Sequence, residues 1–173
     1  INSDSMQVYS NLRILTARPS ELDHKLIKHK LYGYVDGNKR YNVARWCNDI
    51  IKIIENNDKK NYPSIIVGGS GMYINSLING LIDLPHIDEK YKKKSQELLN
   101  KIGVNNFMKN IFSFDREALN NISINDTSRL RRIWEVYHST NITYSQWKLN
   151  KNKKFLNNFK YKIFLFIPPR DKI

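Results

Sequence analysis

The run Asp4-Ser5-Met6-Gln7 places a carboxylate, a hydroxyl and a carboxamide within four positions, directly after Ile1-Asn2-Ser3, which reads as the end of a buried strand passing into a loop. Open α/β sheets present their ligands beyond the carboxyl ends of their strands, so reacting groups would stand here. Asp4 itself has three readings: a base, a magnesium ligand or a helix cap. A second constellation, Gly68-Gly69-Ser70-Gly71, offers backbone N–H groups and a positive dipole end suited to a phosphate. Glycine also gathers in such turns simply where the backbone needs positive φ. A third lies in Asn125-Asp126-Thr127-Ser128-Arg129-Leu130-Arg131-Arg132. Three arginines near a helix start oppose the dipole, and guanidinium groups bind phosphate and stack on bases, so this segment suits either a nucleic-acid face or a merely solvated surface.

The elements that would carry these groups follow from hydrophobic spacing. Asn42 can cap a helix over residues 43–56, where Val43, Trp46, Cys47, Ile50, Ile51 and Ile54 recur on one face. After Pro63, Ser64-Ile65-Ile66-Val67 suits a fully buried parallel strand, and the glycine turn leads it into a helix over 72–79 that Gly80 stops. Helix, strand, glycine turn and helix form an α/β grammar. Beyond Pro85 it changes: 88–102, 105–112, 115–121, 126–139 and 143–149 all read as helices, an insertion. In the arginine-rich helix, Leu130, Ile133, Trp134 and Tyr137 share one arc at about 100° per residue, which sets Ser128, Arg131 and Arg132 opposite and Arg129 on the flank. Residues 160–167 return to a strand pattern that Pro168-Pro169 ends, and the lysine-rich stretch 148–154 reads as surface and a hinge.

Charge is distributed unevenly. Residues 1–85 carry 11 basic against 8 acidic side chains, and residues 86–173 carry 18 against 8, so an acidic partner belongs with the second half. The abundance of Lys, Asn and Ile also fits AT-rich codons, which weakens the total of +13 as an argument by itself. The longest apolar runs fall far short of the roughly 20 residues a membrane helix needs, and no signal-peptide pattern opens the chain. A soluble protein without membrane association is expected. The single cysteine, Cys47, excludes an internal disulfide and a cysteine-based zinc site, and reads as a small buried residue on its helix.

Taken in order, Asp4-Ser5-Met6-Gln7-Val8-Tyr9, Thr16-Ala17-Arg18-Pro19, Tyr41-Asn42-Val43-Ala44, Val67-Gly68-Gly69-Ser70-Gly71-Met72-Tyr73, Asn125-Asp126 with Arg129 and Arg132, and Pro168-Pro169-Arg170 resemble the tRNA dimethylallyltransferase family over nearly the whole chain. The resemblance implies an α/β fold: a P-loop-kinase-like parallel sheet with helices, here incomplete, over residues 1–85 and 158–173, plus an all-helical tRNA-binding insertion over 86–157. It implies transfer of a dimethylallyl group from dimethylallyl diphosphate to N6 of the adenine 3′ of the anticodon, with Mg2+ as cofactor and the tRNA anticodon stem-loop as partner. That base would be turned out of its stack. Asp4 matches the general base, and Ser70 stands where the family often has threonine near the reaction channel. Ser5, Met6 and Gln7 match positions that contact the target nucleotide, the Gln7 amide suiting a base edge. Arg18 matches a basic position near the channel, Lys92 a basic residue that touches the RNA, and Ser128, Arg129, Leu130, Arg131 and Arg132 an RNA-contacting helix segment. A cytoplasmic or organellar monomer is implied.

The chain departs from the family pattern in one respect. No glycine-rich loop ending in Lys and Ser or Thr occurs in it, and that loop, with the magnesium ligands and C-terminal helices of the family, is expected to lie outside this sequence. A fragment inactive alone is the expectation. Two alternatives remain at this point: a remnant that only binds RNA, and a P-loop kinase acting on a small metabolite.

Overall fold

The computed structural model describes residues 1–82, 84–149 and 154–169. Six α-helices form among them: α1 (Glu21–Leu26), α2 (Val43–Asp58), α3 (Gly71–Asn79), α4 (Glu89–Phe112), α5 (Thr127–Thr140) and α6 (Tyr144–Leu149). The chain divides into two compact units, Ile1–Gly80 with Lys154–Ile173, and Leu81–Lys153.

In the first unit α2 forms where the spacing predicts it. Asn42 accepts the Arg45 N–H at 3.0 Å as the N-cap, and Trp46, Cys47, Ile50 and Ile54 are the buried face. That face packs on α3, where the Trp46 ring stacks on Tyr73 with centroids 4.6 Å apart. The Trp46 indole N–H, which has to find an acceptor once buried, donates to the Asn2 carbonyl at 3.0 Å. The short helix α1 has no buried residue and no apolar stripe, and is held by a reciprocal cap between Ser20 and Asp23.

Of the parallel sheet of the sequence reading, the described residues show isolated parallel bridges of Asn2 with Val67 and of Tyr9 with Val35. Ser3 N donates to the Val67 carbonyl and Val67 N to the Ile1 carbonyl, so residues 1–3 lie beside 65–67 in the expected register. The expectation of a fully buried strand over 64–67 is corrected: Ile65 and Val67 stay more than half exposed because, among the described residues, only residues 1–3 pair with this run. Residues 160–167 are likewise not a strand. No ladder partner is present for them among the described residues, and Ile163 to Ile167 are exposed. A strand pattern in sequence becomes a strand only where another backbone takes up its N–H and C=O groups. Arg170 and positions 150–153 of the lysine-rich stretch lie outside the described residues.

The second unit is helical. Phe107 and Ile111 from α4, Ala118 and Leu119 from a 3₁₀ turn, and Leu130, Ile133 and Trp134 from α5 form its core. Gly103, at φ 74°, breaks α4 into the two segments that the sequence pattern separates there. Asp126 caps α5 through the Arg129 N–H at 3.1 Å, and Asn141 ends it in the left-handed conformation. Buried Asp115 accepts from Ala118 N at 3.1 Å, and from Ser145 N at 3.0 Å and Ser145 Oγ at 2.6 Å, so one carboxylate caps two turns. Among the described residues no helix is long and apolar enough to cross a membrane.

Candidate functional site

The Asp4 segment and the glycine turn, distant in sequence, meet in the first unit. At Gly68 the two backbones pack closely. A Cβ there would stand 2.4 Å from the Ser3 carbonyl carbon and 2.6 Å from its oxygen, so only glycine lets the two backbones approach this far. Ser70 N then donates to the Ser3 carbonyl at 3.2 Å. Its hydroxyl, free of any capping bond to its own helix, accepts the Ser5 N–H at 2.8 Å and lies 3.1 Å from Ser5 Oγ.

Asp4 is partly exposed and its carboxylate is oriented by the turn that follows. Oδ1 accepts the Met6 N–H at 2.7 Å and more weakly the Gln7 N–H at 3.4 Å, which is cap geometry. Oδ2 has no hydrogen-bond partner among the described residues, so the cap occupies one oxygen and leaves the second without one. Asn2, which no sequence motif singles out, is fully buried. Its Oδ1 accepts the Asp4 N–H at 2.8 Å, while Nδ2 donates to the carbonyls of Asp4 at 2.9 Å and Leu31 at 3.0 Å. An amide at a position read as the end of a buried strand signals this role, because it needs internal partners. Met6 is half exposed. The Gln7 Nε2 donates to the Thr16 carbonyl at 2.8 Å, so part of its amide is engaged by the chain itself. Around Asp4 the phenols are held neutral: burial, with smaller contributions from Tyr9, Cys47 and Asp4, pushes Tyr73 up to about 12, and burial followed by the Asp4 charge raises Tyr32.

Arg18 lies in the same unit. Its Nη2 donates to the Ser10 carbonyl at 3.0 Å and its Nε is buried without a partner. No group of three or more His, Cys, Asp and Glu converges among the described residues. Asp4 is the carboxylate of the loop that meets the glycine turn.

The remaining predicted residues belong to the second unit, where they divide into two sets. Ser128 is exposed, Arg129 is exposed and paired with Asp126 at 3.3 Å, and Arg132 has no partner among the described residues. Arg131 does not stand free on the polar face, as the helical arc predicts. Its long side chain folds back onto α4, where Nε donates to Ser95 Oγ at 3.1 Å, Nη1 to Gln96 Oε1 at 2.6 Å and Nη2 to the Lys92 carbonyl at 3.1 Å. Glu135, one turn on, completes the network 2.7 Å from Ser95 Oγ and 3.5 Å from Arg131. Leu130 is wholly buried in the core, and Lys92 Nζ meets Glu89 at 2.5 Å.

The IPP transferase family model matches residues 7–173. Similar curated proteins include the tRNA dimethylallyltransferase of Pelagibacter ubique, 43% identical over 91% of this chain and 50% of that protein. The one from Bartonella quintana is 38% identical over 98% of this chain and 57% of its own length. The chain thus spans about half the length of these relatives. Among solved structures, a eukaryotic dimethylallyltransferase acting on tRNA aligns with a TM-score of 0.73 at 27% identity, covering 89% of this chain and 39% of that one.

Proposed function

We propose, from the premise that this chain belongs to the IPP transferase family, that it forms part of an enzyme that prenylates tRNA. The acceptor would be N6 of the adenine 3′ of the anticodon, and the donor dimethylallyl diphosphate. In the reaction N6 attacks the allylic carbon, the carbon–oxygen bond to the diphosphate breaks, and the diphosphate departs with the electron pair. A neutral aryl amine is a weak nucleophile while it keeps both protons, so a positioned base is required. Asp4 takes that proton.

The observation that carries this assignment is the division of labour on one carboxylate. Oδ1 is tied to the Met6 and Gln7 N–H groups, which fixes the side chain, and Oδ2 has no hydrogen-bond partner among the described residues. Ser5 and Ser70 hold the loop to the glycine turn and set where the adenine enters. Met6 and the Gln7 oxygen contact the base. In the helical unit Ser128, Arg129 and Arg132 meet phosphates of the anticodon arm, while Lys92, Leu130 and Arg131 shape the surface from which they project. Magnesium would gain one carboxylate from this chain, and no step is assigned to it.

The test is transfer of labelled dimethylallyl from its diphosphate to an unmodified anticodon stem-loop, by this chain supplemented with the remaining portion of a relative. Asp4→Asn keeps an acceptor for the Met6 N–H and removes the base. Turnover is expected to fall by roughly 10² to 10⁴ with RNA affinity and thermal stability unchanged. Undiminished turnover would remove Asp4 from the chemistry.

A further inference from the structure

A cavity of 260 Å³ opens between Arg13, Arg18, Pro19, Glu21, His24 and Tyr32. Two guanidinium groups, an imidazole and a phenol face one carboxylate among its lining side chains. The Arg18 guanidinium is seated with unusual closeness over Gly33, where a Cβ would stand 1.3 Å from Nη1. Gly33, at φ 56°, is fixed in turn by donating its N–H to the Gln7 carbonyl at 2.8 Å. The guanidinium is therefore held by a backbone that only glycine supplies, with Nη2 on the Ser10 carbonyl and a buried Nε that finds no partner. His24 and Tyr32, also in the lining, belong to a ring cluster in which His24 lies 4.7 Å from His29 and 6.5 Å from Tyr32. Arg13 adds a second guanidinium at the rim, where it is paired with Glu21 at 3.4 Å and both side chains are exposed. Glu21 is the carboxylate among the lining residues, and that ion pair offsets it.

We propose that this cavity binds a phosphoryl group, with Arg18 as its main donor and Tyr32, His24 and Arg13 around it. Planar guanidinium N–H groups and a phenol O–H are all donors, and together they match the several acceptor oxygens of a phosphate. The site rests on the reading that the substrates are phosphate-bearing, and two of them qualify: a backbone phosphodiester of the RNA and the diphosphate of the prenyl donor. The same chain segments wall the cavity and hold the Asp4 loop, since Asn2 binds the Leu31 carbonyl beside Tyr32 and Gln7 binds Thr16 and Gly33. A phosphate seated there is thereby registered against Asp4.

The probes are inorganic pyrophosphate and an anticodon stem-loop RNA, added to the isotope-labelled chain while the Gly33, His24 and Tyr32 resonances are followed. Pyrophosphate is expected to shift these signals saturably, and Arg18→Gln to weaken that binding at least tenfold. Tyr32→Phe, which keeps the ring packing, is expected to weaken it about threefold and guards against a folding defect in the arginine variant. Unmoved resonances, or equal affinity in the wild type and both variants, would overturn the site. RNA that displaces pyrophosphate from these signals identifies the phosphodiester as the natural occupant. RNA that binds elsewhere and leaves pyrophosphate in place identifies the diphosphate. If RNA fails to bind at all while pyrophosphate still occupies the cavity, the tRNA reading fails and the phosphoryl site stands.

Discussion

Ser70 Oγ accepts the backbone N–H of Ser5 at 2.8 Å, across 65 positions of sequence. A helix-capping serine ordinarily turns its hydroxyl onto its own first turn, yet Ser70 makes no such bond. The hydroxyl is spent on holding the Asp4 loop. Ser70→Ala is expected to lose about 1 kcal/mol of positioning energy, read as a roughly fivefold fall in single-turnover transfer. Ser70→Thr keeps the hydroxyl and should stay within twofold of the wild type. An alanine variant as fast as the threonine one would show that the bond positions nothing.

Glycines of the same turn should differ sharply in tolerance. Gly68→Ala drives a Cβ into the Ser3–Asp4 backbone, where nothing flexible can yield, whereas a Cβ at Gly69 meets no atom within 4 Å. The first substitution is expected to cost about 3 kcal/mol and to lower the melting midpoint by roughly 10 °C. The second should leave it nearly unchanged. Equal midpoints for the two would contradict the close approach described here.

What the sequence made legible follows from what each pattern measures. Periodic apolar spacing reports a buried helix face, so α2 and α5 were predicted nearly to their ends, and Gly103 marked the break within α4. Helix α1 has no buried face and left only its Ser20–Asp23 cap as a signal. Residues 64–67 and 160–167 show the reverse failure: β-branched runs report a readiness to pair, and pairing depends on partner backbone that composition cannot reveal. Residue types single out Asp4 and Ser70, whose segments the structure brings together, while Asn2 reads as part of a strand. Arg131 was misplaced because a helical wheel fixes where Cα lies, and an arginine side chain is long enough to reach back to the neighbouring helix.

That distinction separates two arginines one position apart. Arg131→Ala would leave Glu135 buried without its cation, and a broken buried pair costs about 3 to 5 kcal/mol. The expected readout is a large fall in the urea midpoint of the helical unit. Arg132→Ala breaks no hydrogen bond or ion pair among the described residues, and its stability should stay within about 0.5 kcal/mol of the wild type. On the proposed reading its effect falls on RNA binding, where one lost phosphate contact reduces the slope of log affinity against log salt by about one. A stable Arg131→Ala protein, or an unchanged slope in Arg132→Ala, would reverse these assignments.

The core behind the site sets an alkaline limit. Burial against α3 pushes the Cys47 thiol from 9.0 up to about 11, and Tyr73, stacked on the neighbouring Trp46, is pushed in the same direction. Both groups are neutral when protonated, so folding favours the protonated forms. Their contribution is complete below the unfolded value, near pH 9 for the thiol, and is lost as pH climbs through about 11. At pH 7 roughly one thiol in ten thousand is ionised, so iodoacetamide should modify Cys47 only when the unit opens. Adding urea should therefore accelerate labelling at constant pH. The urea midpoint should fall between pH 8 and pH 10.5, and Cys47→Ala should flatten that decline. Rapid labelling of the folded chain at pH 7, or an identical decline in the alanine variant, would place Cys47 outside the core that orients α2 and α3.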